Sequence, residues 1–130
     1  MNDEQRMVHD FHERFGLRRN EAPTWPGEVV HRHRVMLIDE ELAELRNAGE
    51  AGDLARVADA LGDLLYVVYG AGVAYGIDLE PVFAEIHRSN LTKVAPASHP
   101  DGKACKGEGY SAPDLVTVLD RQLGSLPVGG

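Results

Sequence analysis

Cysteine, positive charge and long apolar runs are scarce in this 130-residue sequence, and each shortage argues against a class of protein. The one cysteine, Cys105, can form neither an internal disulfide nor, by itself, a zinc site. Lys and Arg number 13 against 21 Asp and Glu, so bulk charge does not favour nucleic acid. The longest uncharged run, 64–77, is shorter than a membrane span of about 20 residues, and the first residues lack a signal-peptide pattern. We therefore expect a soluble, cytoplasmic protein that binds neither nucleic acid nor membranes.

The composition that remains is that of an ordinary globular chain, with 43% hydrophobic and 26% charged residues. That content supplies enough apolar side chain for one core, and the length suits one domain over residues 1–130.

Helical periodicity dominates the chain, and no convincing strand alternation occurs. In the second helix Val35, Ile38, Leu42 and Leu45 recur at three- and four-residue steps, which predicts a buried stripe. Glycines and a first-turn proline mark several helix ends. The predicted helices are 3–15, 28–50, 53–75, one starting near Leu79 and running through Leu91, and 113–123. We expect a loop over 94–111, a frayed tail over 124–130, and an all-α helical bundle of four to five helices.

Charged side chains fall on the core-facing edge of the second predicted helix. At about 100° per residue, Arg34 and Glu41 share the arc of Ile38 and Leu45, while Glu40 and Glu44 border it. Arg34 and Glu41 are seven residues apart, roughly 10 Å along the axis, so they do not make an easy ion pair.

The third predicted helix repeats this feature. Its segment 61–69 is apolar on almost every side, which predicts a central helix with a buried Asp63. Asp59, Tyr66 and Gly70 lie on the same face as Asp63. Carboxylates from two helices around one cavity would repel each other, and a cation would resolve this. Oxygen ligands suit Mg²⁺, Mn²⁺ or Ca²⁺. The alternative is that these carboxylates are solvated or pair with Arg46 and Arg56.

These strings resemble a known family. The motifs are Asp39-Glu40-Glu41-Leu42-Ala43-Glu44, then Asp59-Ala60-Leu61-Gly62-Asp63-Leu64-Leu65-Tyr66, then 87–93 and 101–110. In this order they are similar to the MazG-like all-α nucleoside triphosphate pyrophosphohydrolases. Within that family the resemblance is to a bacterial subgroup that includes a dUTP-hydrolysing member and has relatives among phosphoribosyl-ATP pyrophosphohydrolases. It covers about residues 8–116.

The resemblance implies a Mg²⁺-dependent hydrolase, with Mn²⁺ as a substitute ion, that converts a (d)NTP and water to the monophosphate and pyrophosphate. Glu40 and Glu41 would be catalytic. The metal ligands would be Glu40, Glu41, Glu44, Asp59 and Asp63. Asp59 enters because the family's second motif has an acidic residue where this chain has Ala60.

The same resemblance suggests how substrate is bound. The expected substrate-binding residues are Arg34, Tyr66, Arg88, Asn90 and Lys93. The base would lie in an apolar pocket made with Phe11, His12, Trp25 or Tyr66. Family members assemble as dimers or tetramers, so at least a homodimer is expected.

Two other functions stay open. One is a phosphoribosyl-ATP pyrophosphohydrolase, which performs the same chemistry on a bulkier substrate. The other is a helical module that binds nucleotide or metal without catalysis, as a consequence of Ala60.

Overall fold

The computed structural model describes residues 1–94 and 104–124, and within them the chain forms five α-helices. They are α1 (Asp3–Arg14), α2 (Glu28–Glu50), α3 (Leu54–Tyr75), α4 (Leu79–Asn90) and α5 (Leu115–Gly124). The described part contains one isolated bridge, Val94 to Cys105, and no named strand. The all-α prediction is therefore confirmed. The predicted tail and the middle of the predicted loop lie outside the described residues.

Helix ends lie at residues whose chemistry specifies an end. The side chain of Asn2 accepts a hydrogen bond from the backbone N–H of Gln5 and caps α1, and Asp53 caps α3 through Arg56. Gly76 ends α3 in the left-handed conformation with φ 71°, where a Cβ would overlap the carbonyl oxygen of Ala22. These local signals explain why the helix bounds were predictable.

Residues 1–79 form one compact unit. Helices α2 and α3, joined by a short turn, pack along each other, and α1 packs on α3. Small residues on the inner faces, including Ala48, Ala60 and Ala74, are nearly fully buried and allow close approach. Buried Gln5 ties α1 to the end of α3, because its amide donates to Ile77 and accepts from the N–H of Leu79.

Among the described residues, those from Glu80 to Gly124 belong to a second compact unit. Ser89 on α4 and Val118 on α5 are its most buried described side chains. Thr92 accepts a hydrogen bond from the N–H of Ser111. The guanidinium of Arg88 contacts Glu85 and donates to Ser111 and the carbonyl oxygen of Ala112. That the chain is one domain stays a prediction.

The burial expected for α3 is wrong for several of its side chains. Asp63 is exposed, and so are Leu61, Leu65 and Val68. On α2, Val35 and Leu42 also leave about two fifths of their surface exposed. The reason is that a helix contacting one or two neighbours buries only part of its circumference, so an all-round apolar pattern does not ensure all-round burial.

The length and apolar composition of α3 raise the question of whether this helix could span a membrane. By length and composition α3 could cross a membrane, with a mean hydropathy of 1.4 over its most apolar 18 residues. In the structure it packs on α1 and α2 and carries Asp59 and Asp63, and 28% of that apolar window is buried.

Candidate functional site

The helical hairpin of α2 and α3 brings the predicted carboxylates together. Antiparallel pairing sets the region of Glu41 opposite Asp63, and the pKa of Glu41 responds to the charges of the other four carboxylates. Those four are Glu40, Glu44, Asp59 and Asp63. Glu41 is half-buried and the other four are exposed. The hairpin thus forms an acidic cluster of five carboxylates from two helices.

Electrostatics within this acidic cluster favour a cation. Partial burial raises the pKa of Glu41 above its usual range, and Asp63, Glu44, Asp59 and Glu40 raise it further in that order. A group of carboxylates that repel one another is stabilised by a divalent ion, and carboxylate oxygens are the ligands that hard ions prefer. The donor set therefore fits a magnesium-type metal.

In this structure no three carboxylates of the acidic cluster have side-chain oxygens as close together as the ligands of one metal ion. In the described part of the chain, that spacing occurs instead on α1, where ligand atoms of His9, Asp10 and Glu13 lie within 4.8 Å of one another. His9 also lies 3.3 Å from Glu21. These α1 side chains are at the surface and close to one another in sequence, as exposed polar residues of one helix commonly are.

A cavity of about 170 Å³ lies between α1, α2 and α3. Phe11, His12, Arg34, Tyr66 and Gly70 line it, among others. Phe11 and Tyr66 meet edge to face, with ring centroids 5.6 Å apart. Three of the four residues expected around the base, Phe11, His12 and Tyr66, therefore line one cavity. Two of the predicted substrate-binding residues, Arg34 and Tyr66, line it as well.

Trp25, the fourth residue expected there, lies elsewhere. Its ring packs 4.9 Å from His31, whose Nδ1 is 2.8 Å from the hydroxyl of Tyr75. Trp25 therefore contacts residues near the C-terminal end of α3 and does not line the cavity.

Arg34 is the most unusual residue of the cavity. Its side chain is 7% exposed, and its Nε has no hydrogen-bond partner. Burial lowers the pKa of Arg34 and the nearby Tyr75 offsets part of this effect. The helical arc predicted a buried Arg34, but its expected role in binding phosphate remains a prediction.

His12 is almost completely buried next to Arg34. Its Nδ1 lies 2.8 Å from the carbonyl oxygen of Arg18. Burial lowers the pKa of His12, as do the charges of Arg34, His9 and Arg19, while the bond to Arg18 opposes the shift. The imidazole is therefore held neutral.

Three predicted substrate-binding residues lie in the second unit. Arg88 donates hydrogen bonds to Glu85, Ser111 and the carbonyl oxygen of Ala112. Asn90 is exposed and Lys93 is half-buried. Their contribution to a phosphate site stays a prediction.

The cavity contains residues that the sequence did not single out, among them Leu17, Leu37 and Val67. Gly70 was on the predicted face with Asp63, and it provides room for Arg34 because a Cβ there would lie 2.8 Å from Nη1. A glycine inside an apolar helix was the available signal.

The all-α fold is that of the MazG-like nucleoside triphosphate pyrophosphohydrolase superfamily, which the family match below supports. The family model for phosphoribosyl-ATP pyrophosphohydrolase matches residues 8–90, more than half of the chain, and the chain belongs to that family. The description of this family is that of a pyrophosphohydrolase, an enzyme that hydrolyses a phosphoanhydride bond. Proteins of this superfamily typically depend on a divalent metal, which agrees with the acidic cluster.

A relative occurs in a giant virus. An uncharacterized protein of Acanthamoeba polyphaga mimivirus is 39% identical over 67 residues, which is 52% of this chain and 24% of the viral protein. The match spans about a quarter of the viral protein.

Proposed function

We propose that the protein is a Mg²⁺-dependent nucleoside triphosphate pyrophosphohydrolase that converts a (d)NTP to the monophosphate and pyrophosphate. A non-standard nucleotide such as dUTP is the proposed substrate, and removing it from the nucleotide pool is the proposed role in the cytoplasm. The observation that carries the proposal is the acidic cluster, in which four carboxylates raise the pKa of Glu41 on a fold of this superfamily.

The carboxylates of Glu41, Glu44 and Asp63 would hold the metal, with Glu40 and Asp59 at its edge. A bound divalent ion supplies charge neutralisation and a water of lowered pKa. Glu40 would orient that water toward the α-phosphorus.

We expect Asp59 to take the place of the acidic residue that is absent at Ala60. Ala60 is 3% exposed and packs in the core of the hairpin, whereas Asp59 is exposed and acts on Glu41. Asp59 would complete the ligand set from the neighbouring position, and its electrostatic effect on Glu41 supports this proposal.

A phosphoribosyl-ATP pyrophosphohydrolase is the second candidate, because the matching family model has that description. The two candidates share their chemistry and differ only in substrate. A cavity of about 170 Å³ is smaller than typical ligand pockets of roughly 300–1,000 Å³, which favours the smaller base.

The test is a panel of nucleotides incubated with the protein and Mg²⁺, with separation of the products. The panel holds each standard NTP and dNTP, dUTP and phosphoribosyl-ATP. Monophosphate and pyrophosphate from dUTP would support the first candidate, and turnover of phosphoribosyl-ATP would support the second. If neither Mg²⁺ nor Mn²⁺ supports turnover of any nucleotide, the protein is a binding module.

We also propose that the protein forms at least a homodimer through α3. Leu54, Ala58, Leu61, Leu65 and Val68 form one exposed apolar stripe on this helix, with coiled-coil spacing. A second copy of the same helix offers the matching surface, as in an interface with twofold symmetry.

A further inference from the structure

The cavity between α1, α2 and α3 holds a buried donor that lacks an acceptor. Arg34 is more than nine-tenths buried, its Nε has no partner, and no carboxylate pairs with it within residues 1–94 and 104–124. A guanidinium keeps its charge at physiological pH, and an unsatisfied buried N–H group destabilises the site. A ligand that brings an acceptor into the cavity would remove this cost.

His12 places an acceptor beside that donor. A carbonyl oxygen only accepts hydrogen bonds, so the Nδ1 of His12 must carry the proton that faces Arg18. In the neutral ring the Nε2 then keeps a free lone pair. An ideal Cβ on Gly70 would lie 2.8 Å from Nη1 of Arg34 and 3.4 Å from Nε2 of His12, so both groups border the same point of α3.

We propose that this cavity binds the nucleotide base, and that Arg34 and His12 recognise a ring edge in which a carbonyl oxygen adjoins an N–H group. The identity of the ligand as a nucleotide rests on the proposed function. Uracil and thymine have this edge. Cytosine has an unprotonated nitrogen beside its carbonyl, which would face the lone pair of His12, and adenine has no carbonyl. The cavity volume of about 170 Å³ favours one ring over two.

The position of the cavity agrees with this assignment. Arg34 precedes Glu41 by seven residues and Gly70 follows Asp63 by seven, so the cavity lies roughly 10 Å along both helices from the acidic cluster. A nucleoside spans a comparable distance between its base edge and its 5′ phosphate. The walls contributed by Phe11 and Tyr66 suit a flat ring, and His33 also lines the cavity.

The test is calorimetric binding of three monophosphates to the full chain: dUMP, dCMP and dUMP methylated on the ring N–H. The unmodified chain should bind dUMP about 5- to 150-fold more tightly than either other ligand, because each leaves a buried polar group unpaired. His12→Asn keeps a donor toward Arg18 and removes the acceptor at the position of Nε2, so it should lose discrimination against the methylated ligand. Arg34→Met should weaken dUMP binding and lose discrimination against dCMP.

Two further variants keep the test decisive if Arg34→Met fails to fold. Gly70→Ala places a methyl against the guanidinium and should behave like Arg34→Met. Gly62→Ala, on the same helix with nothing within 4 Å, should bind all three ligands as the unmodified chain does.

Equal affinity of the unmodified chain for the three ligands would overturn the inference, as would no detectable dUMP binding. It would also fail if Arg34→Met weakened binding of pyrophosphate and left base discrimination intact, since Arg34 would then bind phosphate. The proposed function fails on a different readout, namely absence of pyrophosphate release in the nucleotide panel. The two failures are therefore distinguishable.

Discussion

Glu41 on α2 and Asp63 on α3 lie close enough across the helical hairpin for the charge of Asp63 to raise the pKa of Glu41. The two residues are 22 positions apart in sequence, and only the antiparallel pairing of the helices joins them. This relationship links the two halves of the family motif into one acidic cluster, and it provides the first prediction.

Glu41→Gln and Asp63→Asn should each lower kcat by at least about 100-fold and reduce the rise in Tm caused by Mg²⁺, because each removes a metal ligand. Activity is measured by pyrophosphate release and Tm by scanning calorimetry with and without Mg²⁺. Glu50→Gln, an exposed change at the end of the same helix, is the control and should alter neither quantity. Full activity in Glu41→Gln would disprove the assignment.

Asp59→Asn tests whether Asp59 replaces the acidic residue absent at Ala60. We expect the apparent affinity for Mg²⁺ to fall by about 10- to 100-fold. The measurement is the Mg²⁺ concentration that gives half-maximal activity. Glu28→Gln, at the far end of α2, is a control for the loss of one negative charge. An unchanged Mg²⁺ dependence would show that the metal is held without Asp59.

Sequence patterns located the helices because each end depends on neighbouring residues. Asn2, Asp53 and Gly76 act within a few positions of themselves, and the predicted bounds agree closely with the structure. The grouping of the acidic residues could also be predicted from the sequence, since Asp59 and Asp63 are one turn apart on a helix.

Which side chains are buried and where the cavity lies were harder to predict from the sequence, because both depend on contacts between distant segments. Asp63 was expected inside, but its side chain is exposed although it lies across the hairpin from Glu41. The meeting of His12, Arg34 and Gly70 requires three helices in register. A pattern on one helix carries no information about that register.

Gly76→Ala should destabilise the fold more than Gly52→Ala. Both glycines have positive φ values, 71° and 64°, so each substitution costs about 1–2 kcal/mol from backbone strain. Only at position 76 does a Cβ also overlap backbone, at the carbonyl of Ala22, whereas nothing lies within 4 Å at position 52. We expect a loss above roughly 3 kcal/mol for Gly76→Ala. Urea unfolding measures both, and equal losses would contradict the overlap.

The neutral state of His12 predicts acid sensitivity. Its folded pKa lies below the ordinary value of 6.5, so the unfolded chain binds the proton more tightly. The stability contributed by neutral His12 is complete above pH 6.5 and is lost as the pH falls through the folded pKa. Arg34, His9 and Arg19 act in the same direction, all as positive or potentially positive neighbours.

His12→Asn should therefore flatten the dependence of Tm on pH below about 6.5. Tm is measured by calorimetry in a series of buffers without Mg²⁺. His87→Asn, an exposed change on α4, should leave the dependence as it is in the unmodified chain. If the Tm of His12→Asn still depends on pH below about 6.5, another group titrates in this range.

The apolar stripe on α3 predicts assembly that a single charge can disrupt. Leu65 is 59% exposed near the middle of the stripe, so Leu65→Glu would place a carboxylate inside a symmetric interface, opposite or close to its own copy. Burying such charges costs several kcal/mol, which should raise the dissociation constant by at least about 100-fold. Light scattering after size-exclusion chromatography measures the mass over a range of concentrations. Val29→Glu, a control at an apolar site at the start of α2 that is 84% exposed, should keep the parent mass. A parent chain that is monomeric at all concentrations would refute the interface, and a dimer that persists in Leu65→Glu would place it on another surface.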